Sequence, residues 1–206
     1  MLQATLRRDG SSVFGKDHRW GTFPSVSAAW NITEEAFMKN QSIFSNLKLR
    51  LGYGVSGNAL GFGAYSAVAT YGATGSYFQS NGVTYVSLGA TKLANEDLKW
   101  ETTGMFNLGI DYAVLGGRLN GSLEFYHKKT KDLIWAYPVS SFIYPFGTIQ
   151  ANVGEITNKG VEFTLNAIPV KTKDFEWNTT LNLAHNSNKV DRLSNEKYHT
   201  DVFEQG

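Results

Sequence analysis

Three glycines in the first half of the chain have the spacing that binds dinucleotides in other proteins. Gly52, Gly54 and Gly57 form the pattern G-x-G-x-x-G within the stretch LRLGYGVSGN. In a nucleotide-binding fold such glycines leave a buried parallel strand and open a helix, whose N-terminus binds the pyrophosphate. Here the preceding stretch alternates polar and apolar residues, further glycines interrupt any helix that would follow, and the next acidic residue is Glu96. The context therefore predicts that the glycines let the strand bend or be approached closely, and that no nucleotide binds.

The remaining reactive side chains do not form a catalytic or metal-binding set. The chain has no cysteine, and its four histidines are far apart and lack the spacing of metal ligands. The adjacent acids Glu34 and Glu35 fit the first turn of a short helix, where negative charge complements the helix dipole. A nucleophile elbow around Ser56 would need glycine at the position of Asn58. The sequence predicts no catalytic residue, no metal site, no cofactor and no enzymatic activity.

Composition and charge narrow the protein classes further. The 19 basic and 18 acidic residues give a net charge of +1 and are scattered, which argues against a nucleic-acid partner. The opening residues lack the charged and then apolar pattern of a signal peptide, and no run of about 18 apolar residues predicts a membrane helix. Aromatic residues make up 14% of the chain, with 21 glycines and only 4 prolines. This composition is typical of an all-β protein.

Alternation of apolar and polar residues predicts about seven β-strands. In NLKLRLGYGVS the leucines, Tyr53 and Val55 fall on one face, and Lys48, Arg50 and the glycines fall on the other. The pattern recurs in FPSVSAAWNI, TTGMFNLGIDYAVL, RLNGSLEFYHKKTKDLIW, NKGVEFTLNAIPV and FEWNTTLNLAHN, and more weakly in LQATLRR. A Gly-Gly pair predicts a tight hairpin turn within residues 115–118.

The connections between these strands alternate in length. Residues 115–118 and 171–174 are short and 33–45 are moderate, whereas we expect long loops over 57–99 and 135–157. Because consecutive antiparallel strands run up and down, the short connections lie at one end of the sheet and the long loops at the other. This asymmetry and strands of about ten residues favour an antiparallel up-and-down transmembrane β-barrel segment, with long extracellular loops and short periplasmic turns. A soluble sandwich would also alternate, but its strands are usually shorter.

Several segments resemble the SusC/RagA-type TonB-dependent outer-membrane receptors of Bacteroidetes. The resemblance rests on RRDGSSVFGKDHRWGTFPSVSAAWNITEEAFMK, LKLRLGYGVSGN, NEDLKWETT, RLNGSLEFYHKKTKDLI and NVGEITNKGVEFTL, in this order along the chain. It covers nearly all of residues 1–206 and corresponds to part of the barrel toward its C-terminal side. A complete member resembles a barrel of about 22 strands with a plugged lumen. The resemblance therefore implies a partial barrel without the plug domain, the signal peptide or the closing strand.

The resemblance also implies a function and a set of partners. Relatives of this type import oligosaccharides or peptides that are too large for porins, across the cell outer membrane. A SusD-like surface lipoprotein caps the barrel, the TonB complex acts through the plug missing from this chain, and outer-membrane lipid surrounds the wall. We expect this chain to be a segment of such a transporter. The alternative is a soluble or surface-attached β-sheet module that recognises glycans through aromatic loops.

Aromatic residues in the two expected long loops are the candidates for substrate contact. Flat rings stack on sugars, and the neighbouring glycine, serine and threonine residues leave room for hydroxyl groups to bond. The candidates are Tyr65, Tyr71, Tyr77, Phe78, Tyr85, Trp135 and Tyr144. Packing of the loops on themselves or on a partner is the competing explanation. Near the strand ends, Trp30, Trp100 and Trp177 are predicted to form the aromatic girdle at the membrane interface.

Overall fold

The protein is almost entirely β-structure. A computed structural model describes residues 1–59, 63, 65–140, 142 and 146–194. The strands are β1 (Leu2–Gly10), β2 (Trp20–Asn31), β3 (Phe44–Asn58), β4 (Thr70–Ser80), β5 (Val83–Lys92), β6 (Glu101–Val114), β7 (Leu119–Pro138), β8 (Thr148–Lys171) and β9 (Glu176–Arg192). Single 3-10 turns occupy Lys16–His18, Ile32–Glu34, Ala36–Met38 and Leu115–Gly117.

Seven of the strands form one antiparallel sheet in the order β1-β2-β3-β6-β7-β8-β9. Each strand pairs with the next along the chain, apart from the hairpin β4-β5, which forms a separate two-stranded sheet between β3 and β6. The up-and-down arrangement of seven strands predicted from the sequence is therefore confirmed.

The register gives the sheet two chemically different faces. One row across it joins Trp30, Leu49, Ile110, Leu123, Phe163 and Leu183. We call the side that carries this row the apolar face. The adjacent row joins Ala29, Arg50, Gly109, Glu124, Glu162 and Ala184, and lies on the polar face. Successive side chains of a strand point to opposite sides, so the alternation in the sequence becomes this separation.

The connections differ at the two ends of the sheet, as expected. Residues 32–43, 115–118 and 172–175 connect strands at the turn end. Residues 11–19, 59–100 and 139–147 connect strands at the loop end.

The expected loop over 135–157 is wrong in its bounds. Strand β7 continues to Pro138 and β8 begins at Thr148, which leaves only residues 139–147 as the connection. A bulge near Asp132, whose φ is 58°, shifts the register by which Leu133 and the residues after it pair with β8. The alternation is interrupted at the bulge, which explains why the extended part of the hairpin was not predicted.

The expected loop over 57–99 was also wrong, because it contains β4 and β5. The two strands are joined by the two-residue turn Asn81-Gly82, with φ of 52° and 77°. Positive φ at both central residues is the conformation that Asn-Gly favours in hairpins. The dipeptide is visible in the sequence and could have predicted this hairpin.

Buried side chains occur only at the loop end among the described residues. One cluster contains Phe14, Ala67, Leu98 and Ile134, and the other contains Tyr137, Ala151 and Val153. None of the residues that the structure describes forms a covering layer over the middle of the sheet. The accessible surface is 14097 Å², against about 9,600 Å² for a compact monomer of this mass.

A seam opens between β2 and β3 toward the loop end. Their pairing stops at Ser25 and Gly54, although both strands continue and β2 stays paired with β1 as far as Trp20. Pro24, the first residue beyond the paired region, has no N–H to donate. The ring of Phe23 fills the space, and a Cβ added at Gly57 would overlap this ring.

Candidate functional site

An ion-pair cluster lies in the middle of the polar face. Arg50 donates from Nε and Nη2 to the two carboxylate oxygens of Asp111 at 2.8 and 2.7 Å. Its Nη2 also donates to Oε1 of Glu124 at 2.8 Å. One guanidinium on β3 thus binds carboxylates on β6 and β7, and links three strands.

Gly109 makes this geometry possible. It lies between Arg50 and Glu124 in the register, so the arginine side chain must cross it to reach β7. A Cβ at Gly109 would lie 2.9 Å from Cζ of Arg50, closer than such atoms can approach. The glycine is therefore explained by the arginine that passes over it.

Small side chains continue the polar face toward the loop end. Ser25 and Ser27 on β2 face Gly54 and Gly52 on β3, and Ser56 follows them. Shallow cavities of about 250 and 390 Å³ open over this region. The polar face therefore leaves space in this region for water, solute or another part of a protein.

The structure explains the glycine pattern without a nucleotide. Gly52, Gly54 and Gly57 all lie inside β3, and the backbone of this strand pairs with β6 through Asn58. No strand-to-helix turn forms at these residues, so the geometry that would bind a pyrophosphate is absent from β3. Gly57 is required by Phe23, whereas Gly52 has no heavy atom closer than 4.0 Å to its added Cβ.

Two polar side chains, the buried Glu101 and the half-buried Asn152, fix the connections at the loop end. Asn152 accepts from the Lys99 N–H at 3.0 Å and donates to the carbonyls of Lys99 and Asp132 at 2.9 and 2.7 Å. Glu101 accepts from the N–H of Ile134 at 2.9 Å and from Nδ2 of Asn58 at 2.7 Å. These bonds attach the segment before β6 to the β7-β8 hairpin.

These residues were missed by sequence reasoning. Asn152 and Lys99 lie in two of the segments that carry the family resemblance, but they are 53 residues apart. The sequence contains no signal that would have paired them.

The aromatic candidates for substrate contact separate onto different surfaces. On the hairpin, Tyr71 and Tyr77 share one side with Val86 and Leu88. The rings of Phe78 and Tyr85 stack on the other side, with centroids 5.1 Å apart. All of these side chains are exposed.

The other candidates lie away from these hairpin surfaces. Tyr65 is at the base of the hairpin, where its carbonyl accepts from Nζ of Lys92 at 2.6 Å, and burial lowers the pKa of this lysine. Trp135 lies on β7 and is paired with Ala151. Tyr144 lies outside the described residues. The structure does not gather the seven candidates at one site, and their role in substrate contact remains a prediction.

The tryptophans predicted to form a girdle occupy two environments. Trp30 and Trp177 are exposed on the apolar face at the turn end. Trp100 lies at the loop end, where its ring packs on Phe14 with a centroid separation of 5.0 Å, and Nε1 donates to the carbonyl of Arg19 at 3.2 Å. A girdle role remains a prediction for all three. Trp20, which the sequence reasoning did not select, is exposed on the apolar face at the loop end.

The described residues contain neither a membrane-spanning helix nor a cluster of metal ligands. No helix in this part of the chain is long and apolar enough to cross a membrane. No group of three or more histidine, aspartate or glutamate residues in the same part is placed to hold a metal ion.

Comparison with known proteins identifies the architecture. Residues 1–202 match the family model described as TonB dependent receptor-like, beta-barrel. The chain belongs to this receptor family. It is 41% identical over 196 residues to the TonB-dependent receptor SusC of Bacteroides thetaiotaomicron, which covers 92% of the chain and 19% of that protein. It is 38% identical over 206 residues to the TonB-dependent receptor P39 of Formosa agariphila, covering 100% of the chain and 19% of the relative.

Solved structures agree with this membership. The RagAB peptide transporter matches with a TM-score of 0.81 at 27% identity, over 94% of this chain and 20% of the matched chain. The RagAB peptide importer in the 'closed-closed' state matches with a TM-score of 0.82 at 27% identity, over 95% and 21%. The chain therefore spans about a fifth of the length of its relatives. The resemblance to SusC/RagA-type receptors and the antiparallel barrel fold predicted from the sequence are confirmed.

Proposed function

We propose that this chain is part of the wall of an outer-membrane barrel that imports oligosaccharides, peptides or other large nutrients. The observation that carries this proposal is the uncovered apolar face. Leu51, Leu123, Phe125, Leu181 and Leu183 lie on it with 38 to 57% of their surface exposed. A soluble protein of this size would bury such a surface, whereas a barrel wall presents it to lipid.

The spacing of Trp20 and Trp30 supports a membrane boundary at each end of this face. Both residues lie on β2, ten positions apart and on the same side of the sheet. Ten residues of strand span about 33 Å. Tilted by about 40°, this length covers about 25 Å along the membrane normal, the height of the apolar band of outer-membrane barrels.

The polar face would then line the lumen. Its serines, glycines and the Arg50 cluster give a hydrophilic wall with recesses. A substrate bound at the loop end would diffuse inward along this wall after displacement of a plug. No bond would be made or broken, so the chain needs no catalytic residue or cofactor.

The partners follow from the relatives. The RagAB structures are described as a peptide transporter and importer, and SusC is a TonB-dependent receptor. By analogy we propose that the assembled receptor binds a SusD-like surface lipoprotein. The TonB complex would act through the plug domain of the assembled receptor. The alternative, a soluble or surface-attached glycan-binding module, would need a cover over the apolar face, and the described residues provide none.

A chimeric receptor tests the proposal. This chain replaces the 196 aligned residues of the SusC relative. Any cysteine in the rest of that relative is replaced, so that single cysteines can be introduced into this chain. We expect the chimera to sediment with outer membranes and to take up the substrate of that relative. Recovery in the soluble fraction, or monomeric behaviour of the isolated chain without detergent, would contradict the membrane assignment.

Single cysteines then test which face meets lipid. Leu123 and Glu124 are neighbours on β7 but lie on opposite faces. In the chimera, Glu124→Cys should react with a membrane-impermeant maleimide, whereas Leu123→Cys should be protected until detergent is added. Equal reactivity at the two positions would mean that the apolar face is in water.

A further inference from the structure

A cleft of about 790 Å³ opens at the loop end. Of the described aromatic residues considered above as substrate contacts, only Tyr65 lines it. One wall is the connection 12–19 between β1 and β2. The opposite wall is formed by Glu96 and Asp97, and Tyr65, Ala67 and Val68 complete the lining. Its volume is within the range of small-molecule and peptide-end pockets.

The walls of the cleft are fixed by contacts below it. The N–H of Gly15 donates to the carbonyl of Leu98 at 3.1 Å, which joins the two walls directly. Phe14 and Ala67 are buried together with Leu98 in one apolar cluster. The cleft is therefore formed before any ligand arrives, and little ordering free energy would be lost on binding.

Charge is concentrated around the cleft. Five of its thirteen lining residues are Lys, Arg, Asp or Glu, against 18% of the whole chain. Lys16 and Arg19 lie on the first wall, with Asp17 and His18 between them, and only acids lie on the second wall. Among the described residues, Lys16, Arg19 and Glu96 form no ion pair within 4.0 Å.

The β4-β5 hairpin provides the contrast. Residues 70–91 contain no charged side chain. A neutral glycan would gain aromatic contacts there, but in the cleft it would displace water from Lys16, Arg19 and Glu96 without supplying a counter-charge. A ligand that carries both charges would compensate for that loss, with an anionic group against one wall and a cationic group against the other.

We propose that this cleft binds amphoteric peptides, and that Arg19 and Glu96 are the principal contacts for a carboxylate and an ammonium group. The inference rests on the proposed function, since it names a substrate class for the loop end of the receptor. Tyr65, which is exposed at the edge of the cleft, would pack against the side chains or backbone of the peptide.

Calorimetry on the detergent-purified chimera tests this site. The probes are an unblocked octapeptide with one lysine and one glutamate, the same peptide blocked at both ends with both residues replaced by glutamine, and a neutral linear oligosaccharide. Variant and parent affinities are compared for each probe, and heat from any site that the variants leave unchanged is fitted as a separate binding event. We expect Arg19→Gln and Glu96→Gln each to weaken the charged peptide by about tenfold, as for loss of one charge-assisted hydrogen bond.

Controls separate the site from the fold and from general electrostatics. Lys39→Gln and Asp174→Asn remove exposed charges at the turn end, and should leave the charged peptide's affinity unchanged. Binding of that peptide should weaken between 0.05 and 0.5 M salt, whereas the neutral probes should bind equally at both concentrations. The thermal midpoint of each cleft variant should match that of the parent, since Arg19 and Glu96 make no ion pair with another described residue.

Several results would overturn the proposal. One is unchanged charged-peptide affinity in both cleft variants; another is no binding of that peptide to the parent. Loss of oligosaccharide affinity in the same variants, without loss for the peptide, would assign the cleft to glycans instead. Membrane sedimentation and uptake are measured separately, so a failed cleft leaves the proposed function standing, whereas failed insertion removes the basis of both.

Discussion

The loop end of the molecule is packed like a small soluble protein, whereas the sheet between the two ends is one layer thick. Phe14 and Leu98 are 2% and 0% exposed at the loop end, while Leu123, near the start of β7, is 43% exposed. Partly buried hydrogen bonds such as those of Asn152 hold the loop end together. The sheet relies on backbone pairing and, in the proposed function, on lipid. The surroundings of the side chains therefore change along a single strand. The same substitution should have different consequences at different heights and on different faces of the sheet.

The largest effect is expected from a charge in the middle of the apolar face. Val26→Arg should destabilise the membrane-inserted chimera by about 2–4 kcal/mol, the range for arginine near the midplane of a barrel wall, because Val26 lies between Trp20 and Trp30 on the apolar face. Ser27→Arg is the matched control, because this neighbouring residue lies on the polar face. Urea unfolding in phospholipid vesicles measures both. Equal destabilisation by the two arginines would remove the distinction between the faces.

A polar truncation should be costly at the loop end. Asn152→Ala removes three hydrogen bonds and leaves partly buried backbone groups without partners, so we expect a loss of about 2–3 kcal/mol. The effect should be local, with faster amide exchange in residues 95–99 and 132–134. Asn178→Ala is the control, since this exposed side chain donates only to Glu176. Unchanged exchange in the first variant would show that the connections are fixed by other contacts.

Two glycines of the same motif should respond differently. Gly57→Ala forces a methyl group into the ring of Phe23, and we expect a loss of about 1–3 kcal/mol from overpacking. Gly52→Ala has room on the polar face and should change stability by less than about 0.5 kcal/mol. The double variant Gly57→Ala with Phe23→Leu should recover part of the loss, measured as the coupling in a double-mutant cycle. Equal effects at the two glycines would contradict the explanation from close approach.

The smallest effect is expected at the ion-pair cluster. Arg50 is 36% exposed, so water screens its interactions, and Arg50→Gln should cost about 1 kcal/mol. The loss should shrink at high salt. Lys48→Gln, also on the polar face, is the control because Lys48 forms no ion pair within 4.0 Å of a described residue. A loss of stability as large as that caused by Asn152→Ala would mean that the polar face excludes water as well as the loop end does.

Sequence reasoning succeeded where structure follows from neighbouring residues. The seven strands and the unequal ends depend on period-two alternation and on loop length, and both can be read locally. The Asn81-Gly82 dipeptide is typical of a hairpin turn, yet the β4-β5 hairpin was not predicted. The aromatic residues around the dipeptide were interpreted as part of a binding loop. The extension of β7 was missed because the bulge at Asp132 interrupts the alternation.

The contacts that build the candidate sites could not have been predicted in the same way. Arg50 lies 61 residues from Asp111 and 74 from Glu124. Only the register of three strands brings these side chains together, and a shift of one residue would move them to the other face. The charged cleft likewise depends on the contact between the 12–19 connection and the segment around Glu96, which no periodicity encodes.

The seam at Phe23 has a mechanical consequence. Above Ser25 and Gly54 the two strands no longer share a backbone ladder, and an aromatic ring occupies the space between them. A load applied to the loop end, such as the closing of a cap or the pull of a bound cargo, would be concentrated at the last bonded pair. The join between the two strands at this height would therefore depend on the packing of Phe23, which is 4% exposed and lies edge-on against Trp100, and not on backbone hydrogen bonds.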